Sequence, residues 1–192
     1  MNIVEFYQNL GVKSEKTARF LADHTRVVKR KKGYRLLTAG DEPTTILFLL
    51  DGVLSFSFID DNGRESVMGF RLGTETGSVT LNLEEIAELN VQAVTAITAL
   101  VLPKAALKQA FQMDSSVCEV MIHQMAENQK SNYGWQIVMR TMDSFEKYRW
   151  FLEQYGYLSD VVAQKDIANF LNITPQTLCR VKRSVYKENQ KT

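Results

Sequence analysis

Two short helical patterns separated by a tight break, between Gln164 and Val185, constrain the fold more than any other stretch. In the first, Ile167, Ala168, Phe170 and Leu171 place apolar side chains at helical spacing. The break falls at Asn172-Ile173. Thr174 then stands where an N-cap belongs, because its hydroxyl can accept from an orphan N–H in the next turn. Pro175 follows at the first helical position, where a missing N–H costs nothing. The second helix puts Leu178, Val181 and Val185 on one face, and Gln176, Thr177, Arg180, Arg183, Ser184 and Lys187 on the other. The Ile-Ala pair is small enough for close helix crossing, and the short break suits a helix-turn-helix. A helix with an apolar inside and a cationic, hydrogen-bonding outside has what the DNA major groove requires. Two amphipathic helices with a basic face also occur in proteins that never touch nucleic acid, so the segment alone leaves a protein-interaction surface open.

Charge favours the first alternative. Residues 164–192 carry six Lys/Arg (Lys165, Arg180, Lys182, Arg183, Lys187, Lys191) against Asp166 and Glu188, a net of +4, while the whole chain is only +1. A phosphate-facing patch is a matter of local field, not of total charge. The remaining composition mainly excludes. No apolar run reaches the roughly 18 residues of a membrane span, and the N-terminus lacks the basic start and apolar core of a signal peptide, so a cytoplasmic protein is expected. Cys118 and Cys179 are too few for a cysteine zinc site or an iron–sulfur cluster, and fit reduced thiols. His24 and His123 have no partner at metal-ligand spacing. No metal and no cofactor are expected. With no nucleophile–base pair or phosphate loop in view, an enzyme is not expected either.

Taken in order, residues 2–23 predict helix, with Ile3, Phe6, Tyr7 and Leu10 on one face. The basic run from Arg26 to Lys32 precedes a strand-like region and reads as a solvated strand edge or loop rather than a nucleic-acid site. From Gly33 to Leu102 short apolar stretches alternate with recurring Gly. Ile46–Leu50 and Val53–Ile59 predict strands, and Asp60-Asp-Asn-Gly63 a hairpin turn with positive φ at Asn-Gly. Val91–Leu102 predicts a further strand region. Seven or more short strands suggest a small barrel or sandwich. Pro103 opens a helix that breaks at Met113-Asp114 and restarts through Met142, about 40 Å at 1.5 Å per residue. So long a helix, apolar at both ends, calls for a partner: the same helix of a second subunit, or its own β domain. Asp143 with Glu146 forms a capping-box pattern, Phe145, Tyr148, Phe151, Leu152 and Tyr155 follow as an inner face, and Gly156 is expected to end that helix.

This order resembles the cyclic-AMP receptor protein and fumarate–nitrate regulator family of bacterial transcription factors. Lys32-Gly33, Leu37, Gly40-Asp41, Leu47, Leu50 and Gly52 match the glycine-punctuated start of that family's β-roll. Gln164-Lys-Asp-Ile-Ala and Ile173 through Arg180 match its helix-turn-helix, and Asp143 its hinge aspartate. The resemblance implies an α+β fold: a cyclic-nucleotide-binding-like β-roll (a double-stranded β-helix or jelly roll) over residues 1–113, a dimerisation helix over 114–142 and a helix-turn-helix DNA-binding domain over 143–192. It implies a homodimer on a double-stranded, pseudo-palindromic operator, with RNA polymerase as a candidate further partner. Gln176 and Arg180 fall where the family reads base edges, Thr174 and Thr177 where it contacts phosphates; Arg183 and Lys187 complete the expected DNA-binding set. A guanidinium at Arg180 can take guanine O6 and N7 together.

The departures concern the effector. Binders of cyclic nucleotides in this family hold the ribose with Gly-Glu and the phosphate with Arg and Ser. Here the first pair aligns with Gly73-Thr74 and the second with Ala87 and Glu88. From Leu72 to Asn90 there are four Glu and no Lys or Arg, so a phosphate would meet net negative charge. Cyclic AMP and cyclic GMP are therefore not expected at the usual site. Thr74, Asn132 and Tyr133 are the positions where some other small effector, of unknown identity, would touch the chain. Pro175 replaces a frequent family arginine, Ala163 is a weak cap for the helix before the turn, and Val185–Thr192 leaves no room for the family's β-hairpin wing. The alternative to a regulator is a ligand-sensing or protein-interaction module that no longer binds DNA specifically.

Overall fold

The computed structural model describes residues 2–73 and 86–189. Its elements are α1 (Ile3–Leu10), α2 (Glu15–His24), β1 (Arg26–Arg30), β2 (Arg35–Leu37), β3 (Thr45–Asp51), β4 (Val53–Ile59), β5 (Glu65–Leu72), β6 (Asn90–Ala93), β7 (Ile97–Pro103), α3 (Lys104–Met113), α4 (Ser116–Thr141), α5 (Ser144–Tyr155), α6 (Leu158–Val161), α7 (Gln164–Phe170) and α8 (Pro175–Asn189). This is the mixed α+β fold that the sequence predicts. The strands form two sheets, ordered β1-β7-β3 and β2-β6-β4-β5. β7 pairs antiparallel with both β1 and β3. The basic run lies on β1, at an edge of its sheet, as its composition suggests.

The chain packs as two compact units, Met1–Phe56 with Phe70–Gln129, and Ser57–Gly69 with Lys130–Thr192. In the first, the unbroken apolar run of β3 serves two cores because successive strand side chains point to opposite faces. Ile46 and Phe48, with Leu100 and Leu102 of β7, meet Tyr7, Leu21 and Leu107 from the flanking helices. Leu47 and Leu49 point the other way, to Leu54, Val91, Ala93, Ile97 and Ala99. A strand covered on both faces reads as continuous hydrophobicity rather than alternation. The tight β3–β4 connection depends on Gly52: its φ is +89°, and a Cβ there would lie 2.3 Å from the Ala96 carbonyl oxygen.

Helix ends follow the sequence closely. Asn2 and Ser14 cap α1 and α2 through their side chains. Asp114 at the α3–α4 break accepts from the Ser116 and Ser14 amides, each at 2.9 Å. Asp143 and Glu146 form a complete capping box on α5. Gly156 ends α5 as expected; it does so in the right-handed conformation (φ −48°, ψ −41°), and the chain turns almost directly into α6. Glycine is required there for room, since a Cβ would sit 2.8 Å from the Leu152 carbonyl oxygen. At the β4–β5 turn the positive φ belongs to Gly63 alone, and Asp60 Oδ1 accepts from the amides of Asn62 and Arg64.

The core of the second unit is aromatic. Phe170 is 1% exposed and stands among Trp135, Trp150, Phe151 and Tyr155, with ring centroids 5.9–6.2 Å away. Tyr148, Leu158, Ile167, Leu171 and Leu178 are buried as well.

Candidate nucleic-acid interface

α7 and α8 are joined by a turn in which Asn172 takes φ +52°, the left-handed region that asparagine tolerates better than most side chains. The Ile173 amide donates to the Ala168 carbonyl at 3.0 Å and the Asn172 amide to the Asn169 carbonyl at 2.9 Å. That pair of bonds is a Schellman closure of α7, with asparagine in the place glycine usually holds. Thr174 then caps α8: its Oγ1 accepts from the Thr177 amide at 3.1 Å. The Ala163 position before α7 makes no side-chain cap, as its chemistry dictates.

Leu178, Val181 and Val185 are buried, which turns the opposite face of α8 outward. Thr174, Gln176, Arg180, Arg183 and Lys187 are exposed and Thr177 is half-buried. The Thr174 and Thr177 hydroxyls lie 3.0 Å apart, and Arg180 Nη2 donates to Thr177 Oγ1 at 3.4 Å. The guanidinium therefore lies along the first turns of its own helix, with its remaining donors available. Two polar side chains of α8 are engaged within this unit. Lys182 Nζ donates to Gln164 Oε1 at 2.7 Å, tying α8 to the start of α7, and Ser184 Oγ bonds back to the Arg180 carbonyl at 3.3 Å.

Asn169, which the sequence pattern treats only as a polar spacer, is bonded to the β4–β5 hairpin. Its Nδ2 donates to the Glu65 carbonyl and its Oδ1 accepts from the Val67 amide, both at 2.7 Å. No short-range signal could have found this contact, because the partners are 104 and 102 residues away. Burial pushes the Asp166 carboxyl up; Lys165 opposes this and Glu65 adds to it.

Of the effector positions, Thr74 lies outside the described residues. Asn132 and Tyr133 are exposed on α4, Tyr133 at 56%. Gly73 has a packing reason: its amide donates to the Gly52 carbonyl at 2.9 Å, and a Cβ there would meet the Asp51 backbone at 2.3 Å. Arg71 falls one residue before the cation-free stretch, and its Nη2 donates to Asn128 Oδ1 of α4 at 2.8 Å. Cys118 is half-buried and Cys179 exposed, both as free thiols. Among the described residues no group of three or more His, Cys, Asp or Glu is placed to hold a metal ion. Among them, too, no helix is long and apolar enough to cross a membrane.

Residues 27–114 match the family model of the cyclic nucleotide-binding domain. No curated protein sequence matches the chain. Solved structures resemble it along most of its length. FixK2 from Bradyrhizobium japonicum is 15% identical with a TM-score of 0.72, covering 86% of each chain. CLP from Xanthomonas campestris, a c-di-GMP-responsive global regulator, is 15% identical with a TM-score of 0.69, covering 92% of this chain and 93% of its own. A protein from Eubacterium rectale described as a transcriptional regulator of the Crp/Fnr family is 15% identical with a TM-score of 0.76, covering 98% of this chain and 89% of its own.

Proposed function

For a chain that carries a cyclic nucleotide-binding domain and has the fold of the Crp/Fnr family of transcriptional regulators, we propose the role of a sequence-specific DNA-binding transcription regulator acting as a homodimer. The observation that carries this reading is the outer face of α8. A helix capped at Thr174 and buried through Leu178, Val181 and Val185 holds out Gln176, Thr177, Arg180, Arg183 and Lys187 together. Arg180 and Gln176 are the base-reading side chains in this proposal, and Thr174, Thr177, Arg183 and Lys187 bind phosphates.

A second set of side chains supports the dimer. Along α4, Ile122, Met125, Tyr133 and Ile137 are 67%, 56%, 56% and 60% exposed. Large apolar groups recurring along one long helix favour a second copy of that helix as their cover. We assign residues 1–113 to sensing, 114–142 to dimerisation and 143–192 to DNA binding. Any effector would be a small molecule other than cyclic AMP, with Asn132 and Tyr133 on α4 as its candidate contacts; the alternative is that the chain senses no ligand. Titration calorimetry with cyclic AMP is expected to give no stoichiometric heat, and tight one-to-one binding would overturn that part.

Selection of random duplex DNA on the purified protein at two salt concentrations tests the main reading. A two-fold symmetric motif with half-sites about 10 base pairs apart is expected. Recovery of salt-sensitive binding without a motif would count against it. On the selected operator, Arg180→Ala is expected to cost about 1–3 kcal/mol of specific binding, the loss of one bidentate base contact. Unchanged discrimination between operator and random DNA would remove Arg180 from that role.

A further inference from the structure

β5 is the outer strand of its sheet, so along its free edge no described strand satisfies the backbone. Asn169 completes one point on that edge. In a parallel ladder, the residue facing position i donates to the carbonyl of i−1 and accepts from the amide of i+1. With Ser66 as i, the Asn169 carboxamide makes both bonds, to the Glu65 carbonyl and from the Val67 amide, at 2.7 Å each. One side chain thus stands in for one residue of a missing strand. Only a carboxamide sets a donor and an acceptor side by side in this way, and a glutamine would reach one methylene too far.

The hairpin end of this clasp is itself braced. Ser57 Oγ donates to the Glu65 carboxylate at 2.6 Å, and Asp60 closes the turn with two amide bonds. The helical end is the last turn of α7. Asn169's own carbonyl accepts from Asn172, so the clasp sits on the residue that begins the turn into α8. Resting on the regulator reading above, we infer that Asn169 is a positioning residue for operator recognition. It locks the turn between α7 and α8 to the Ser57–Gly69 hairpin, and so sets the single orientation in which α8 presents Gln176 and Arg180.

Asn169→Ala in the full chain tests this. Alanine favours helix, and the side chain it replaces is exposed, so α7 is retained. Hydrogen exchange at the Val67 amide of the free protein is expected to speed up about tenfold or more, since its acceptor is gone. Affinity for the selected operator is expected to fall about tenfold, while affinity for random duplex at the same salt changes by less than about twofold, because the α8 cations are untouched. A partly unfolded variant would lose both affinities together and leave their ratio unchanged. Unaltered Val67 exchange would overturn the clasp. Faster exchange with an unaltered operator-to-random ratio would overturn the positioning role. If the wild-type protein selects no symmetric site, the regulator reading falls and the positioning role falls with it. Val67 exchange in the two proteins would then still separate a clasped hairpin from a free one.

Discussion

The two compact units are held by different chemistry. The first spreads its burial over many aliphatic side chains, among them Ile46, Leu54, Leu100, Leu102 and Leu107, each at most 2% exposed. The second gathers four aromatic rings around Phe170. The difference follows from size. A unit built from a hairpin and short helices has few inward positions, and large rings bury more surface per position than aliphatic groups do. A distributed core tolerates the loss of one member better than a hub tolerates the loss of its centre.

The chain's two tryptophans, Trp135 and Trp150, both lie in the second unit, so their fluorescence reports that core while far-ultraviolet circular dichroism reports the whole chain. Phe170→Ala is expected to cost about 3–5 kcal/mol and to bring the fluorescence transition close to the start of a denaturant titration, abolishing DNA binding. Leu100→Ala is expected to cost about 2–5 kcal/mol in the first unit and to leave the fluorescence midpoint in place while the dichroism curve shifts. Equal fluorescence shifts in both variants would show that the two cores unfold as one. Asp143→Ala removes the capping box at the start of α5 and is expected to lower the unfolding free energy read by fluorescence by about 1 kcal/mol.

The two units also respond in opposite senses to pH. Asp114, in the first unit, is held below the usual carboxylate range by its hydrogen bond with the Ser116 side chain and by the Ser14 and Ser116 amides. Its contribution is present above the unfolded-state pKa and is lost as pH falls through the folded one. Asp166, in the second unit, is raised by burial. Folding there disfavours the charged form, so stability is gained as pH falls through the raised pKa and lost as pH rises through it. Asp166→Asn is expected to raise the fluorescence midpoint slightly at neutral pH and to have no effect in acid. A difference that persists in acid would show that burial of the charge is not the cause.

Features that depend on neighbours a few residues apart are legible in the chain's order. Thr174, Pro175 and the spacing of Leu178, Val181 and Val185 specify a capped helix with one buried face, and α8 has both. Asp143 with Glu146 specifies the start of α5, and the break at Asp114 specifies the end of α3. Local hydrogen-bond geometry and side-chain period are readable in order along a chain. The run Ile46–Leu50 reads as strand for the same reason, although its division between two cores does not.

Which distant groups meet follows from folding alone. Folding placed the Ser57–Gly69 hairpin with the C-terminal helices and joined Lys182 to Gln164 at the start of α7. Asn169 shows the physical reason most plainly. Its carboxamide is as content in water as against a strand edge, so no pattern of hydrophobicity, charge or helix propensity marks it. Its role arises only when folding brings the unpaired backbone of β5 to within 2.7 Å of both its donor and its acceptor.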